Sequence, residues 1–112
     1  MRLVELVAEL SVMMAQGKHL IEDGGEDWHR IGVLTNGIGQ IFQEGGDEAP
    51  DAEKKLLELF MEKKSGSRIR IIALDYLLHS GGIRSEETDK ILEASRKESG
   101  YTEFFIDGRS LH

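Results

Sequence analysis

Three pairs of adjacent glycines divide this sequence into segments of helical length. They stand at Gly24-Gly25, Gly45-Gly46 and Gly81-Gly82, and each follows a stretch in which apolar residues recur every three or four positions. Glycine just past a helix end adopts the left-handed conformation without a steric clash at Cβ. The pairs therefore predict helix ends, and a chain built from helices joined by short turns.

The apolar spacing predicts five helices. Their expected ranges are 2–23, 27–43, 50–64, 67–80 and 86–98. Asp27 and Ser85 are the expected N-caps of the second and fifth helices, and Pro50 suits the first helical position of the third. The fourth helix is apolar nearly all round, which predicts packing on several sides, whereas the narrow apolar face of the fifth predicts a place at the edge.

The second helix has an unusual number of glycines within it. Gly32, Gly37 and Gly39 each cost up to about 1 kcal/mol of helix propensity relative to alanine. Close approach of neighbouring helices is the expected reason for all three. Gly17, within the first predicted helix, is expected only to loosen its second half.

The last twelve residues differ in character from the rest of the chain. Tyr101–Ile106 has strand propensity, and Asp107-Gly108 is a favoured two-residue hairpin turn. These features predict a short β-hairpin-like tail over residues 101–112. Phe104 and Phe105 are too apolar to remain in water, so we expect them to pack on the helices of this chain or of a second copy.

A shift of 40 residues aligns the second predicted helix with the fourth. Arg30 falls on Arg70 and Leu34 on Leu74, and a period near 40 is typical of helical-pair repeats. The four residues of the fourth helix that fit an RxxALxxL pattern are Arg70, Ala73, Leu74 and Leu77. With the leucine-rich helix before it, the segment 52–82 resembles a HEAT-type repeat, and this resemblance implies a scaffold that binds other proteins and has no catalytic residues.

The expected fold class is therefore all-α. Two architectures remain open: a compact four- to five-helix bundle, or a short HEAT-like stack of helical pairs. Residues 1–100 are expected to form a single helical domain, with residues 101–112 as its tail.

Composition excludes several classes of protein. The 112 residues include 14 basic and 21 acidic side chains, which give a net charge of −7, and no cysteine. The lack of cysteine excludes a disulfide scaffold, a thiolate metal cluster and a cysteine nucleophile. No apolar run approaches the roughly 18–20 residues that span a bilayer, and the N-terminus lacks the features of a signal peptide, so we expect a cytoplasmic protein. The acidic balance makes nucleic acid an unfavourable partner.

Charge is unevenly distributed along the chain. The segments 22–27 and 44–53 contain several acidic residues and no basic one. In the second segment, Glu44, Asp47 and Glu48 lie close together between two predicted helices. This distribution is typical of solvated turns and helix starts, but it also fits an acidic rim that steers a basic partner. Residues 63–70 hold four bases and no acid, which is a weak indication of a phosphate-binding patch.

Trp28, His29 and Arg30 form a candidate recognition surface at the start of the second helix. The structural alternative is that Trp28 packs over the end of the first helix while His29 faces water. His19 has Glu22 and Asp23 within reach, but a solvated helix end explains this group better than a metal site, and no HExxH motif occurs. We therefore expect no catalytic residue, no metal and no cofactor.

The function expected from these patterns is that of a non-enzymatic protein-interaction module, adaptor or regulator, whose partner is a basic protein or a second copy of the chain. One alternative is an acidic inhibitor of the immunity type, directed against a basic toxin or nuclease. Another is a small-ligand or enzyme site near Trp28–Arg30. The residues expected to contact a partner are Trp28, His29, Arg30, Glu44, Asp47, Glu48, Phe104 and Phe105.

Overall fold

Five α-helices make up most of the computed structural model, which describes residues 2–21 and 24–99, the side chain of Ser99 excepted. The helices are α1 (Leu3–Ala15), α2 (Glu26–Glu44), α3 (Ala49–Met61), α4 (Ser67–His79) and α5 (Glu86–Ser99), with single 3₁₀ turns at Lys18–Leu20 and Lys63–Ser65. The described part of the chain is compact and contains no strand, so the all-α prediction is confirmed. The hairpin-like tail at 101–112, with Phe104 and Phe105, lies outside the described residues.

Helix α2 is the centre of the fold. It contacts α1, α3 and α4, and α3 and α4 also pack on each other. The core lies between these four helices, and its largest fully buried side chains include Phe42, Phe60, Leu10 and Leu34. Because burying one such side chain stabilises a fold by about 1.5–3 kcal/mol, these contacts hold the helices together.

The first helix ends eight residues earlier than predicted. Helix α1 stops at Ala15, because Gly17 adopts a left-handed φ of +73° and donates its N–H to the Met14 carbonyl at 2.9 Å. The prediction that Gly24-Gly25 ends this helix is therefore wrong, since that pair lies just before α2. By contrast, Gly45 ends α2 with a φ of +74°, and Gly81 follows α4 with a φ of +82°, as predicted.

Two of the three predicted helix starts are confirmed. The Thr88 N–H donates to the Ser85 Oγ at 3.2 Å, and Pro50 lies in the first turn of α3. The prediction for Asp27 is wrong, because Gly25 occupies the N-cap position of α2. Asp27 lies in the first turn instead, where its carboxylate is 3.6 Å from the Lys18 ammonium.

Side chains of neighbouring helices lie against α2 at its internal glycines. A Cβ added at these positions would meet Arg68 at Gly32, Leu6 at Gly37 and Tyr76 at Gly39. Arg68 and Tyr76 belong to α4, and Leu6 belongs to α1. The contact at Gly39 reaches the ring atom nearest the Tyr76 backbone, as close helix packing predicts, whereas the contacts at Gly32 and Gly37 are with the ends of the Arg68 and Leu6 side chains.

Helix α5 lies at the edge, as its narrow apolar face predicted. Leu92 is its buried apolar anchor, with 3% of its surface exposed, and Thr88 is buried beside it. The turn before α5 is fixed by the Ser85 N–H, which donates to the Glu53 carboxylate at 2.7 Å. The guanidinium of Arg84 donates to the Leu77 carbonyl at 2.6 Å and so ties this turn to α4.

Candidate partner-binding groove

A groove of about 630 Å³ runs along the outer face of α2. Five residues at helical spacing follow it from one end to the other: His29, Val33, Asn36, Gln40 and Glu44. Its sides include Leu6 from α1 and Arg68 from α4. We call this feature the α2 groove. Its two ends are marked by residues that the sequence assigned to separate sites, His29 and Glu44.

Glycine backbone forms part of the groove surface. Gly32 and Gly37 line it, and neither offers a side chain that would raise its floor. Asn36 donates its amide N–H to the Gly32 carbonyl at 2.8 Å and accepts from the Tyr76 hydroxyl at 3.0 Å. These bonds hold the Asn36 side chain in one orientation, so this part of the groove is preorganised.

The end of the groove near His29 is built around Trp28. The guanidinium of Arg68 lies 3.7 Å from the centre of the Trp28 ring, within the range of a cation–π interaction. Arg68 also donates to the Trp28 carbonyl at 2.5 Å. Trp28 is half-buried in this arrangement, while His29 is exposed and lines the groove. Packing of Trp28 against α4 was not expected from the sequence.

Arg30 is engaged by a carboxylate from α1. Its Nε and Nη2 donate to the two oxygens of Glu9 at 2.5 and 2.6 Å. These hydrogen bonds lower the pKa of the Glu9 carboxyl and raise the pKa of Arg30. The pair therefore fixes α1 against the start of α2, and His29 is the member of the predicted triplet that faces the α2 groove.

The acidic end of the groove is formed by the end of α2 and the turn that follows. Glu44 lines the groove, and both Glu44 and Asp47 are exposed. Glu48 is half-buried, and its carboxylate accepts from the Leu3 N–H at 3.4 Å. Two of the three acids predicted to meet a partner are thus open to solvent, and the third contributes to the start of α1.

The basic segment 63–70 does not form one surface. Lys63 and Lys64 are exposed, but Arg68 covers Trp28. Arg70 is buried, with 8% of its surface exposed, and its Nε donates to the Phe60 carbonyl at 2.7 Å. Of the four bases predicted for a phosphate-binding patch, only Lys63 and Lys64 are therefore available to bind phosphate.

Few chemically reactive groups meet in the described part of the molecule. Residues 2–21 and 24–99 contain no group of three or more His, Asp or Glu side chains placed to hold a metal ion. His19 is joined to the Lys64 carbonyl at 2.9 Å, while Glu22 and Asp23 lie outside the described residues. Among the described helices, none has the length and apolar character needed to cross a membrane.

No family model, no curated protein and no solved structure matches this chain.

The sequence pattern contained one signal for the groove. His29, Val33, Asn36, Gln40 and Glu44 recur at intervals of three or four residues, on the side of α2 opposite its buried apolar residues. Arg68 stands among neighbouring bases in the sequence, yet Arg68 and Trp28 are separated by the same 40 residues that align α2 with α4.

Proposed function

We propose that the protein is a non-enzymatic interaction module that binds a basic segment of a partner protein in the α2 groove. The observation that carries the proposal is the acidic end of the groove, which is open to solvent. Glu44 lines this end, and the exposed Asp47 follows it in the next turn. Val33, 44% exposed, offers apolar contact towards the His29 end, and Asn36 and Gln40 offer polar groups between the two ends. A segment with an apolar residue at one end and lysine or arginine at the other matches this order.

Length and charge narrow the class of partner. From His29 to Glu44 the groove follows 15 residues of helix, or about 22 Å at 1.5 Å per residue. An extended segment of about seven residues covers that distance. The acidic end raises the rate of encounter with a basic segment, because opposite charges steer association at low salt.

The alternative of a small-ligand or enzyme site near Trp28–Arg30 has less support. Trp28 is covered by Arg68, and Arg30 is held by Glu9, so neither side chain is presented to the groove in the way His29 is. The function of an inhibitor of a basic toxin or nuclease is compatible with the same groove. Identification of the bound partner distinguishes such an inhibitor from an adaptor.

We also propose that α1–α2 and α3–α4 are related as two units of a HEAT-like stack. The support is a pair of contacts between α2 and α4, from Arg68 to the Trp28 carbonyl and from the Tyr76 hydroxyl to Asn36. Each contact joins residues 40 positions apart, which is the offset at which the two helices align in sequence. Such regularity is typical of stacked repeats.

Site-directed photo-crosslinking tests the groove. A photoreactive amino acid at position 40, in the middle of the groove, is compared with one at position 54, an exposed site on α3. We expect a partner to be captured from cell extract at position 40, with the cross-linked peptide rich in lysine or arginine. Val33→Asp and the charge reversal Glu44→Lys should each reduce the yield severalfold.

Two results would contradict the proposal. Equal capture at positions 40 and 54 would show that the groove has no preference for a partner. A cross-linked peptide without basic residues, or one whose yield is unchanged by Glu44→Lys, would show that charge complementarity does not select the partner.

A further inference from the structure

The outer face of α1 is apolar and exposed. Val4 is 69% exposed and Val12 57%, and Ala8, Ser11 and Ala15 are exposed beside them. The opposite face of the same helix packs into the core through Leu3, Leu6, Leu10 and Met13. Helix α1 is therefore apolar on both sides, and among residues 2–21 and 24–99 only one of these sides is covered.

This pattern is unusual for a helix at the surface, where the outer face normally carries charged residues. The charged residues of α1 are Glu5 and Glu9, and Glu9 is bound by Arg30. Helix α5, at the other edge of the fold, contains eight charged residues between Glu86 and Ser99. Apolar residues on two opposite faces of one helix are typical of a position between two packed layers.

The order of residues along this face is self-complementary. Val4, Ala8, Ser11 and Ala15 are separated by four, three and four residues, so they form one seam along the helix. When a second copy of α1 runs antiparallel about a point between Glu9 and Leu10, Val4 lies opposite Ala15 of that copy, and Ala8 lies opposite Ser11. The larger side chain thus meets a small one at each end.

A parallel arrangement lacks this fit. It places Val4 against Val4 and each small residue against its own copy. The distance between the two helix axes would then be larger at the Val4 end of the seam than at the Ala15 end. The antiparallel arrangement has two-fold symmetry, in which residue i of one copy contacts residue j of the other and the reverse contact also forms. Small residues on the seam let the two helix axes come close together, as close packing requires.

Net charge opposes self-association, and the antiparallel arrangement keeps this repulsion small. The chain has a net charge of −7, so two copies repel each other wherever their acidic turns meet. The seam contains no charged residue, but the acidic turn lies beside the start of α1, where Glu48 accepts from the Leu3 N–H. Antiparallel packing places the starts of the two α1 helices at opposite ends of the contact, so the two acidic turns do not meet directly.

We propose that the chain forms a two-fold symmetric dimer through antiparallel packing of the outer face of α1. The contact is small: α1 has 13 residues and is about 20 Å long, so it buries less than the roughly 800 Å² per partner of a standard interface. The dimer is accordingly weak and reversible. This proposal is independent of the partner proposed for the α2 groove, because Val4 does not line that groove.

Sedimentation equilibrium is the first test. Over a concentration range from about 10 µM to about 1 mM, the wild-type chain is expected to shift from monomer to dimer. Val4→Asp should abolish the shift and remain folded, because an acidic residue in the first turn of a helix interacts favourably with the helix dipole. Ile83→Asp is the matched control, since Ile83 is 90% exposed and lies away from α1 in the turn before α5.

Disulfide cross-linking tests the direction of packing, and the absence of native cysteine makes every cross-link interpretable. Val4→Cys and Ala15→Cys chains, one carrying a tag that changes its mass, are mixed and oxidised. We expect the mixed disulfide to exceed either homodimer at least several-fold. In the antiparallel dimer two copies of position 4 are about 16 Å apart along the helix axis, which is beyond the reach of a disulfide.

Each contrary result has a definite meaning. A monomer across the whole concentration range overturns the proposal, as does a dimer that Val4→Asp leaves intact. Homodimeric cross-links at position 4 that equal the mixed product overturn the antiparallel arrangement. A monomer in which Val4→Cys and Phe105→Cys form a disulfide within one chain would assign this face to the chain's own terminal segment instead.

Discussion

At the scale of single residues, Gly39 shows how the absence of a side chain determines helix packing. It lies in the middle of α2, where glycine costs about 1 kcal/mol relative to alanine. A Cβ at this position would overlap the ring of Tyr76, including the ring atom closest to the Tyr76 backbone. The loss in helix propensity is therefore offset by close packing of α4 against α2.

Replacing Gly39 with alanine should destabilise the protein. Overpacking costs about 1–3 kcal/mol, and part of this is returned by the better helix propensity of alanine, so we expect a net loss of about 1–2 kcal/mol in the free energy of unfolding. Urea denaturation followed by circular dichroism measures the change. In a Tyr76→Ala background the ring is gone, and the same Gly39→Ala change should become stabilising. A loss of equal size in both backgrounds would refute the packing explanation.

A second residue-scale prediction concerns the Glu9–Arg30 pair and pH. Hydrogen bonding to Arg30 lowers the pKa of Glu9 below its ordinary value of 4.5 in the folded protein. The contribution of the pair to stability is thus fully present above that value and is lost as the pH falls through the lowered pKa. The wild-type chain should exceed Glu9→Gln in unfolding midpoint at about pH 7, and the difference should shrink towards about pH 3.

Glu5→Gln is the matched control for this experiment, because Glu5 is an exposed carboxylate one turn earlier on α1. Its effect on the unfolding midpoint should be smaller at neutral pH. If the difference between wild type and Glu9→Gln were the same at both pH values, the ionised pair would not be what stabilises the contact between α1 and α2.

At the scale of elements, α1 shows how a glycine outside a pair can end a helix. Leu20 and Ile21 continue the apolar spacing of α1, yet they are 65% and 45% exposed, so they do not extend its buried face. The chain turns at Gly17 into a 3₁₀ turn, and His19 in that turn contacts the Lys64 carbonyl. The tertiary position of this turn, rather than local periodicity, determines where α1 ends.

Gly17→Ala should therefore destabilise the fold without lengthening α1. No atom lies within 4 Å of an added Cβ, so the cost arises from the left-handed backbone alone. That cost is about 1–2 kcal/mol, and alanine recovers a part of it by restricting the unfolded chain, which leaves a net loss of about 1 kcal/mol. Gly46→Ala is the control, because that position is equally open and has no positive φ. An increase in helical circular dichroism for Gly17→Ala would contradict the expectation.

The remaining helices could be predicted to within three residues at either end, because local signals and tertiary packing agree there. Gly45 and Gly81 end α2 and α4, and Ser85 and Pro50 start α5 and α3. The groove was harder to predict. Helical spacing alone predicts that His29 and Glu44 share a face of α2. The groove also depends on Leu6 and Arg68, whose positions are set by the packing of α1 and α4.

At the scale of the whole molecule, net charge opposes folding. The full chain has a net charge of −7, and the structure has a radius of gyration of 13.6 Å, which is comparable to the Debye length of about 10 Å at 0.1 M salt. Charges on opposite sides of the molecule therefore repel one another at low ionic strength. Ion pairs such as Lys18–Asp27 are partly exposed and contribute little, so the repulsion dominates the response to salt.

The melting temperature should consequently rise by a few degrees when sodium chloride is raised from about 10 mM to about 500 mM, measured at a protein concentration of about 10 µM, where self-association is negligible. Asp47→Lys changes the net charge by two, to −5, and should make the rise smaller, whereas Lys54→Glu changes it to −9 and should make the rise larger. Both residues are exposed, so neither change creates a cavity in the core. If the melting temperature rose equally with salt for all three chains, the rise would be a general effect of salt on apolar surface. The expected order would show instead that repulsion among the excess acidic side chains lowers the stability of the fold at low salt.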